Sequence, residues 1–269
     1  MKFYTVKLRP ESPAVLEIYL RENRENLSGS RRPCVIICPG GAYVFCGDRD
    51  SEPNALALLG EGFQSCVLRY TCRTSDEQPP LHDEPMRDAA AAVRYVRSHA
   101  QEMGIDPHKI TLLGVSAGGH TAACAEVFWN DETHIPGGAD AMGRPDGLVL
   151  CYPVITMGAL THAGSRENLL GPDAPQALRD ALSLETRVTA DTVPTFLWHT
   201  VTDPAVPVEN TLQYAMALRS AGVPFELHLF EQGGHGLSLC SAQSSSKPEQ
   251  IIPDNAGWIG CAVRFLKRR

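Results

Sequence analysis

The chain reads as an α/β protein with a mostly parallel central sheet and helices on both faces. Three observations predict this. Short apolar, β-branched runs alternate with longer segments of helical pattern through most of the 269 residues. Several of the runs are continuously apolar, as strands covered on both faces are. One interruption, residues 153–193, breaks the alternation and is expected to be a small, partly helical cap inserted into a single domain spanning 1–269.

In order, FYTVKL and VLEIYL flank a Pro/Ser turn and predict an antiparallel hairpin. Pro33 to Cys38 is a buried strand, Ser51 to Gly60 a helix, and Ser65 to Tyr70 the next strand. Residues 83–103 form the clearest helix. Asp83 is placed to cap it, Pro85 suits its first turn, and Gly104 can end it. Ile110 to Leu113 is a strand that runs into a helix from Ala117 to Phe128. Strands follow at Gly147–Tyr152, Thr195–His199 and Phe225–Phe230. Helices are expected near Val208–Ala221 and Asn255–Lys267.

Composition narrows the function. A formal charge of −7, with Lys267-Arg268-Arg269 as the one basic cluster, argues against nucleic acid as a partner. No run approaches the apolar length of a membrane span, and MKFYTVKLRPESPAVLEIYL has no apolar signal core. Nine cysteines, an odd number without C-x-x-C, read as free thiols in a reducing cytoplasm. Cys34 and Cys38 lack a matching Cys/His pair, so no metal site is expected.

The chemistry concentrates in KITLLGVSAGGH, where a strand turns sharply into a helix at Ser116. A serine hydroxyl is a weak nucleophile and needs a base, an orienting acid and an oxyanion stabiliser. A tight strand-turn-helix lifts Ser116 above the carboxyl edge of the sheet, with free helix N–H groups beside it. A serine capping a helix after a Gly turn is the plain alternative. Upstream, Pro39-Gly40-Gly41-Ala42-Tyr43 follows the first buried strand. Gly41 and Ala42 are candidate oxyanion donors there, and Ala117 is the donor beside the nucleophile.

The expected chain order is Ser, acid, His. Among nine histidines, His235 in EQGGHG follows the last strand in a glycine loop able to reach Ser116. His120 is expected to pack within its helix, and His199 and His228 fall inside strands. Asp203, after TFLWHT, is the candidate acid. It would hold the imidazole tautomer from the strand next to the one preceding His235. Asp191, Asp254 and Glu231 are weaker candidates.

With these residues placed, the chain resembles the α/β-hydrolase superfamily, and within it the bacterial carbohydrate-esterase group of acetyl-xylan-esterase-like and feruloyl-esterase-like (BD-FAE-type) proteins. PGGAY, RDSEPNALALLGEGF, DAAAAVRYVR, GIDPHKI, GVSAGGH, RPDGLVLCYPVITM, SRENLLG and the stretch from VPTFLWHT to GGHGLSL carry the resemblance. It covers nearly everything from Pro33 onward. Ala42 departs from the PGGGY that members often carry.

The resemblance implies a triad of Ser116, Asp203 and His235, with oxyanion donors from the PGGAY loop and Ala117. It also implies a serine esterase that removes acetyl or another small acyl group from a carbohydrate, without metal or organic cofactor. The substrate is a small-molecule or oligosaccharide ester; nothing in the sequence sets whether like subunits assemble. Alternatives are a lipase or peptidase of the same fold, or a non-catalytic binding protein on a hydrolase scaffold. The cap is expected to cover Ser116 and select the leaving group, with Thr156, His162, Ser165, Arg166 and Asn168 set among Leu160, Leu169 and Leu170. The rival role for SRENLLG is packing.

Overall fold

A computed structural model describes residues 1–22 and 31–269. The strands are β1 (Lys2–Lys7), β2 (Val15–Leu20), β3 (Arg32–Cys38), β4 (Gln64–Arg69), β5 (Ile105–Val115), β6 (Gly147–Cys151), β7 (Thr195–Thr200) and β8 (Phe225–Phe230). They form one sheet in the order β1-β2-β4-β3-β5-β6-β7-β8. The predicted hairpin is present: β1 pairs antiparallel with β2, and β2 antiparallel with β4. Every later pairing is parallel.

The central strands are buried on both faces and divide their side chains with the strand period of two. Cys34, Ile36 and Cys38 of β3 enter one core, together with Ile110 and Leu112 of β5 and Leu148 and Leu150 of β6. Val35 and Ile37, Leu113 and Val115, Val149 and Cys151, and Phe196 and Trp198 enter the other. The first core is covered by α2 (Glu84–Ser98), α3 (Ala100–Met103), α4 (Ala117–Val127) and α7 (Glu209–Ala221). The second is covered by α1 (Glu52–Gly60) and α9 (Trp258–Lys267). Trp258 of α9 stacks on Trp198 of β7 with ring centroids 5.2 Å apart, which seats the last helix on the sheet.

Some boundaries differ from expectation. The helix predicted over 83–103 breaks at His99 into α2 and α3, and Gly104 ends the second piece with φ 65°. Asp83 does not cap α2; its carboxylate instead accepts from Arg87 Nη2 at 3.3 Å and pairs with His134 Nδ1 at 3.0 Å. Two opposed donors outcompete a helix N–H for that carboxylate. The last helix is likewise two pieces, α8 (Pro253–Ala256) and α9, divided at Gly257.

Segment 153–193 carries α5 (Ala163–Leu170) and α6 (Gln176–Ala181). It is anchored along its length. Leu81 N–H donates to Asn168 O at 3.2 Å, His82 N–H to Leu169 O at 2.7 Å, and Leu184 N–H to Ile155 O at 3.2 Å. Among the described residues no helix is long and apolar enough to cross a membrane.

Candidate active site

The carboxyl ends of β3, β5, β7 and β8 converge. β5 ends at Val115, and the next residue, Ser116, adopts φ 54° and ψ −119° before α4 begins. A non-glycine residue seldom takes that conformation, and it persists only where its surroundings hold it. Here β6 holds it: Ser116 N–H donates to Cys151 O at 3.0 Å, and Ser116 O accepts from Val154 N–H at 3.0 Å and Gly119 N–H at 2.9 Å. Gly118 permits the close packing below. A Cβ there would lie 2.1 Å from Cys38 O, so a side chain would push α4 off the end of β3.

The three residues expected from sequence are brought into one line. Ser116 Oγ lies 2.7 Å from His235 Nε2, and His235 Nδ1 lies 2.7 Å from Asp203 Oδ2. Asp203 is fully buried at its side chain, and His235 keeps 22% exposure. The other candidate acids do not join: Asp191, Glu231 and Asp254 are exposed on the surface.

Asp203 is saturated with donors. Oδ1 accepts from the backbone N–H of Ala205 at 2.9 Å and of Val206 at 3.0 Å. Oδ2 is shared by His235 and by His199 Nε2, 3.2 Å away. Burial pushes the Asp203 carboxyl up, but the hydrogen bonds from the two histidines and the nearby His235 charge outweigh it, leaving it well below the usual carboxylate range. His199 is wholly buried, with Nδ1 bonded to Thr211 Oγ1 at 2.7 Å. A hydroxyl donating to Nδ1 leaves the proton on Nε2, where it is shared between Asp203 Oδ2 and Val206 O, 3.1 Å away. By sequence pattern His199 falls inside a strand. Its available signal was the spacing H-T-V-T-D, which puts a histidine at the strand end four residues before the acid.

The PGGAY loop passes beside the nucleophile at Gly40, where a Cβ would lie 3.2 Å from Ser116 Cβ. Gly40 O accepts from Gly47 N–H at 2.8 Å, and Gly41 O from Val44 N–H at 2.9 Å. These bonds turn the opposite ends of the same two peptides, the N–H groups of Gly41 and Ala42, away from the loop interior. Neither group, nor Ala117 N–H, meets a protein acceptor among the described residues. Gly41 has φ 140°, and a Cβ there would sit 2.0 Å from Phe45 O, so this position accepts glycine alone.

The stretch after this loop ties it to the histidine loop, which sequence reasoning missed. Asp50 Oδ2 accepts from Gly40 N–H at 3.1 Å. Arg49 donates Nε to Ser244 O at 2.7 Å and Nη2 to Gly236 O at 2.5 Å. Tyr152 packs edge-on against His235, and its hydroxyl accepts from Ser238 N–H at 2.7 Å.

His120 is more than helix packing. It is fully buried between Tyr43 Oη, 2.8 Å from Nδ1, and Leu182 O, 2.9 Å from Nε2. Burial lowers its pKa to about 4, against an opposing pull from the Leu182 carbonyl, so the ring is neutral, with Nε2–H donating and Nδ1 accepting.

Three polar side chains of segment 153–193 expected to line a binding surface are engaged within the protein instead. Arg166 Nη1 reaches Gly158 O at 3.3 Å, Ser165 is buried against His162 Nδ1 at 2.9 Å, and Asn168 Nδ2 donates to Ala42 O at 3.0 Å. Leu169 and Leu170 are core residues. Burial lowers the His162 pKa first and the His235 charge lowers it further, against an opposing pull from Asp203.

Endo-1,4-beta-xylanase B of Butyrivibrio fibrisolvens is 39% identical over 212 residues, covering 78% of this chain and 33% of that protein. An acetylxylan esterase of Xylanibacter ruminicola is 26% identical over 264 residues, covering 96% of this chain and 50% of that one. The chain thus spans a third to a half of the length of these relatives. The crystal structure of an acetyl ester-xyloside bifunctional hydrolase from Caldicellulosiruptor lactoaceticus superposes with a TM-score of 0.85 at 35% identity, covering 98% of this chain and 96% of that one. The architecture is the α/β-hydrolase fold. The BD-FAE family model matches residues 16–218, so the chain belongs to the BD-FAE family.

Proposed function

We propose that this protein is a serine carboxylic-ester hydrolase that removes short acyl groups, acetyl above all, from carbohydrates. The observation that carries the reading is the unbroken line Ser116–His235–Asp203, with both of its hydrogen bonds at 2.7 Å. Among the described residues, the N–H groups of Gly41, Ala42 and Ala117 meet no protein acceptor.

Ser116 Oγ attacks the ester carbonyl while His235 Nε2 takes its proton. Asp203 holds Nδ1–H and stabilises the imidazolium. The carbonyl oxygen, becoming an oxyanion, accepts from the N–H groups of Gly41, Ala42 and Ala117. Collapse of the tetrahedral intermediate expels the sugar alkoxide, which takes the proton from His235. Water then attacks the acyl-enzyme with His235 again as base, releasing the acid and restoring Ser116.

The acetylxylan esterase relative and the acetyl ester-xyloside hydrolase neighbour support an acetylated carbohydrate as substrate. Glycoside cleavage would require a pair of free carboxylates flanking the bond. The carboxylate in this line, Asp203, has both oxygens occupied by N–H donors. Segment 153–193 leaves the carboxyl end of β6 and returns to β7. In this reading it borders the leaving-group side as a cap.

The test is labelling with a fluorophosphonate, followed by turnover of acetylated xylo-oligosaccharides and of aryl esters of graded acyl length. Ser116→Ala should abolish labelling and lower turnover by on the order of 10⁶ while leaving the fold intact. Near wild-type turnover in that variant would overturn the assignment. A preference for long acyl chains would overturn the substrate class.

A further inference from the structure

The backbone that presents the Ala42 N–H is held in an unfavourable shape. Ala42 and Tyr43 have φ of 52° and 65°, directly after Gly41 at 140°. Two consecutive side-chain-bearing residues in the left-handed region do not persist unless contacts over-determine them. Each of their carbonyls has a dedicated donor. Tyr43 O accepts from Arg73 N–H at 2.7 Å. Ala42 O accepts from Asn168 Nδ2 at 3.0 Å.

Asn168 is well placed as a brace. Its Oδ1 accepts from Arg73 Nη1 at 3.3 Å, so one side chain bridges the loop and the arginine whose backbone grips the next carbonyl. Arg73 is itself tied down, Nε to Gln78 O at 2.8 Å and Nη2 to Asp76 O at 2.6 Å. The base of the brace is rigid as well: Asn168 O and Leu169 O accept from Leu81 and His82, and Leu169 is buried. Further along the same segment, Leu182 O accepts from His120, whose other nitrogen holds the Tyr43 hydroxyl. Residues 42 and 43 are therefore held from two points of the segment between β6 and β7.

We infer that Asn168 is a positioning residue for the oxyanion site: by holding the Ala42 carbonyl, in the 42–43 peptide, it keeps Ala42 in its left-handed conformation and so steadies the preceding 41–42 peptide, whose N–H is aimed at the reacting carbonyl. This rests on the serine-hydrolase reading above. A donor displaced by an ångström loses most of its value to the transition state while ground-state binding is little changed.

Asn168→Ala removes both bonds. Asn168→Asp keeps an acceptor for Arg73 but sets a second oxygen against Ala42 O. Both are tested in the full chain with p-nitrophenyl acetate and a trifluoromethyl ketone inhibitor, with active sites counted by phosphonate titration. The expected result is a fall in kcat of about 10–100-fold with KM within about twofold, since a whole oxyanion donor is worth about 10²–10³. The Ki of the ketone should rise by the same factor as kcat/KM falls, and Asn168→Asp should be at least as impaired as Asn168→Ala. A kcat per titrated site within about twofold of wild type in both variants overturns the inference. So does a loss confined to KM, or one matched by a fall in titratable sites. Those outcomes with Ser116 still essential sink the brace alone; full activity in Ser116→Ala would sink the esterase reading beneath it.

Discussion

Asp203 is an acid with four donors, and the fourth, His199, does not touch the serine. A buried carboxylate whose oxygens are all bonded cannot rotate, so it presents one fixed oxygen to His235. A hydrogen bond from a neutral donor to a charged group is worth roughly 1.5–3 kcal/mol. We therefore expect His199→Gln to lower kcat by about tenfold or more with KM little changed, read by steady-state kinetics on an aryl acetate. Unchanged kcat in a folded His199→Gln would mean that the backbone donors of Ala205 and Val206 suffice alone. Asp203→Asn should cost more, because it also weakens the hold on the His235 tautomer.

At the scale of the element, α4 joins the two ends of the problem. Its first turn offers Ala117 N–H, and its close seat on β3 requires that position 118 carry no side chain. Gly118→Ala would put a methyl group 2.1 Å from Cys38 O and 2.4 Å from Pro39 O. We expect it to cost about 2 kcal/mol or more and to lower both Tm and activity. Near its other end α4 buries Glu126, whose Oε1 accepts from Val193 N–H at 3.1 Å while Oε2 has no partner among the described residues. Burial raises its pKa from 4.5 to about 7, against weaker pulls from Val193 N–H and the Arg144 charge. The folded state thus holds this proton more tightly than the unfolded chain does. The stabilisation is complete below about pH 4.5 and is lost as pH rises through about 7, with a penalty approaching roughly 3 kcal/mol. Glu126→Gln should raise Tm at pH 8 and leave it nearly unchanged at pH 5. An equal effect at both pH values, measured by thermal unfolding, would contradict a protonated native Glu126.

Across the whole molecule, Asp203 carries the opposite linkage. Its folded pKa lies below its unfolded one, so its stabilisation is present above the ordinary carboxylate range and is lost as pH falls through about 4 and below. Acid unfolding of the wild type should therefore be steeper than that of Asp203→Asn in this range, as followed by near-UV circular dichroism. Asp203 follows the carboxyl end of β7, and Glu126 bonds Val193 just before its amino end, so the two carboxyls shift stability with pH in opposite directions.

Much of this was legible along the chain because it is local. Strand period, the Ser116 turn between a β-branched run and an alanine-rich helix, and the glycine loops around Gly41 and His235 are set by neighbours in sequence. Steric and hydrogen-bonding rules act there over a few residues. Asp203 followed from chain order combined with strand adjacency. What stayed illegible depends on residues far apart. His199 is a local exception: Asp203 lies only four residues on, but across the turn after β7, and the strand pattern masks the pairing. Arg49 meets Gly236 across 187 positions, and Asn168 meets Ala42 across 126. The polar residues of segment 153–193 read as a mixed binding surface, yet Ser165, Arg166 and Asn168 are spent on backbone and neighbouring side chains. A side chain's direction is decided by which backbone groups the completed fold leaves without partners, and no local pattern encodes that. The sequence by itself determined the α/β order of elements and the residues that can do acyl chemistry. Tertiary structure decided which groups hold them in place, because burial makes an unpaired polar group costly and so recruits the donors that the fold brings near.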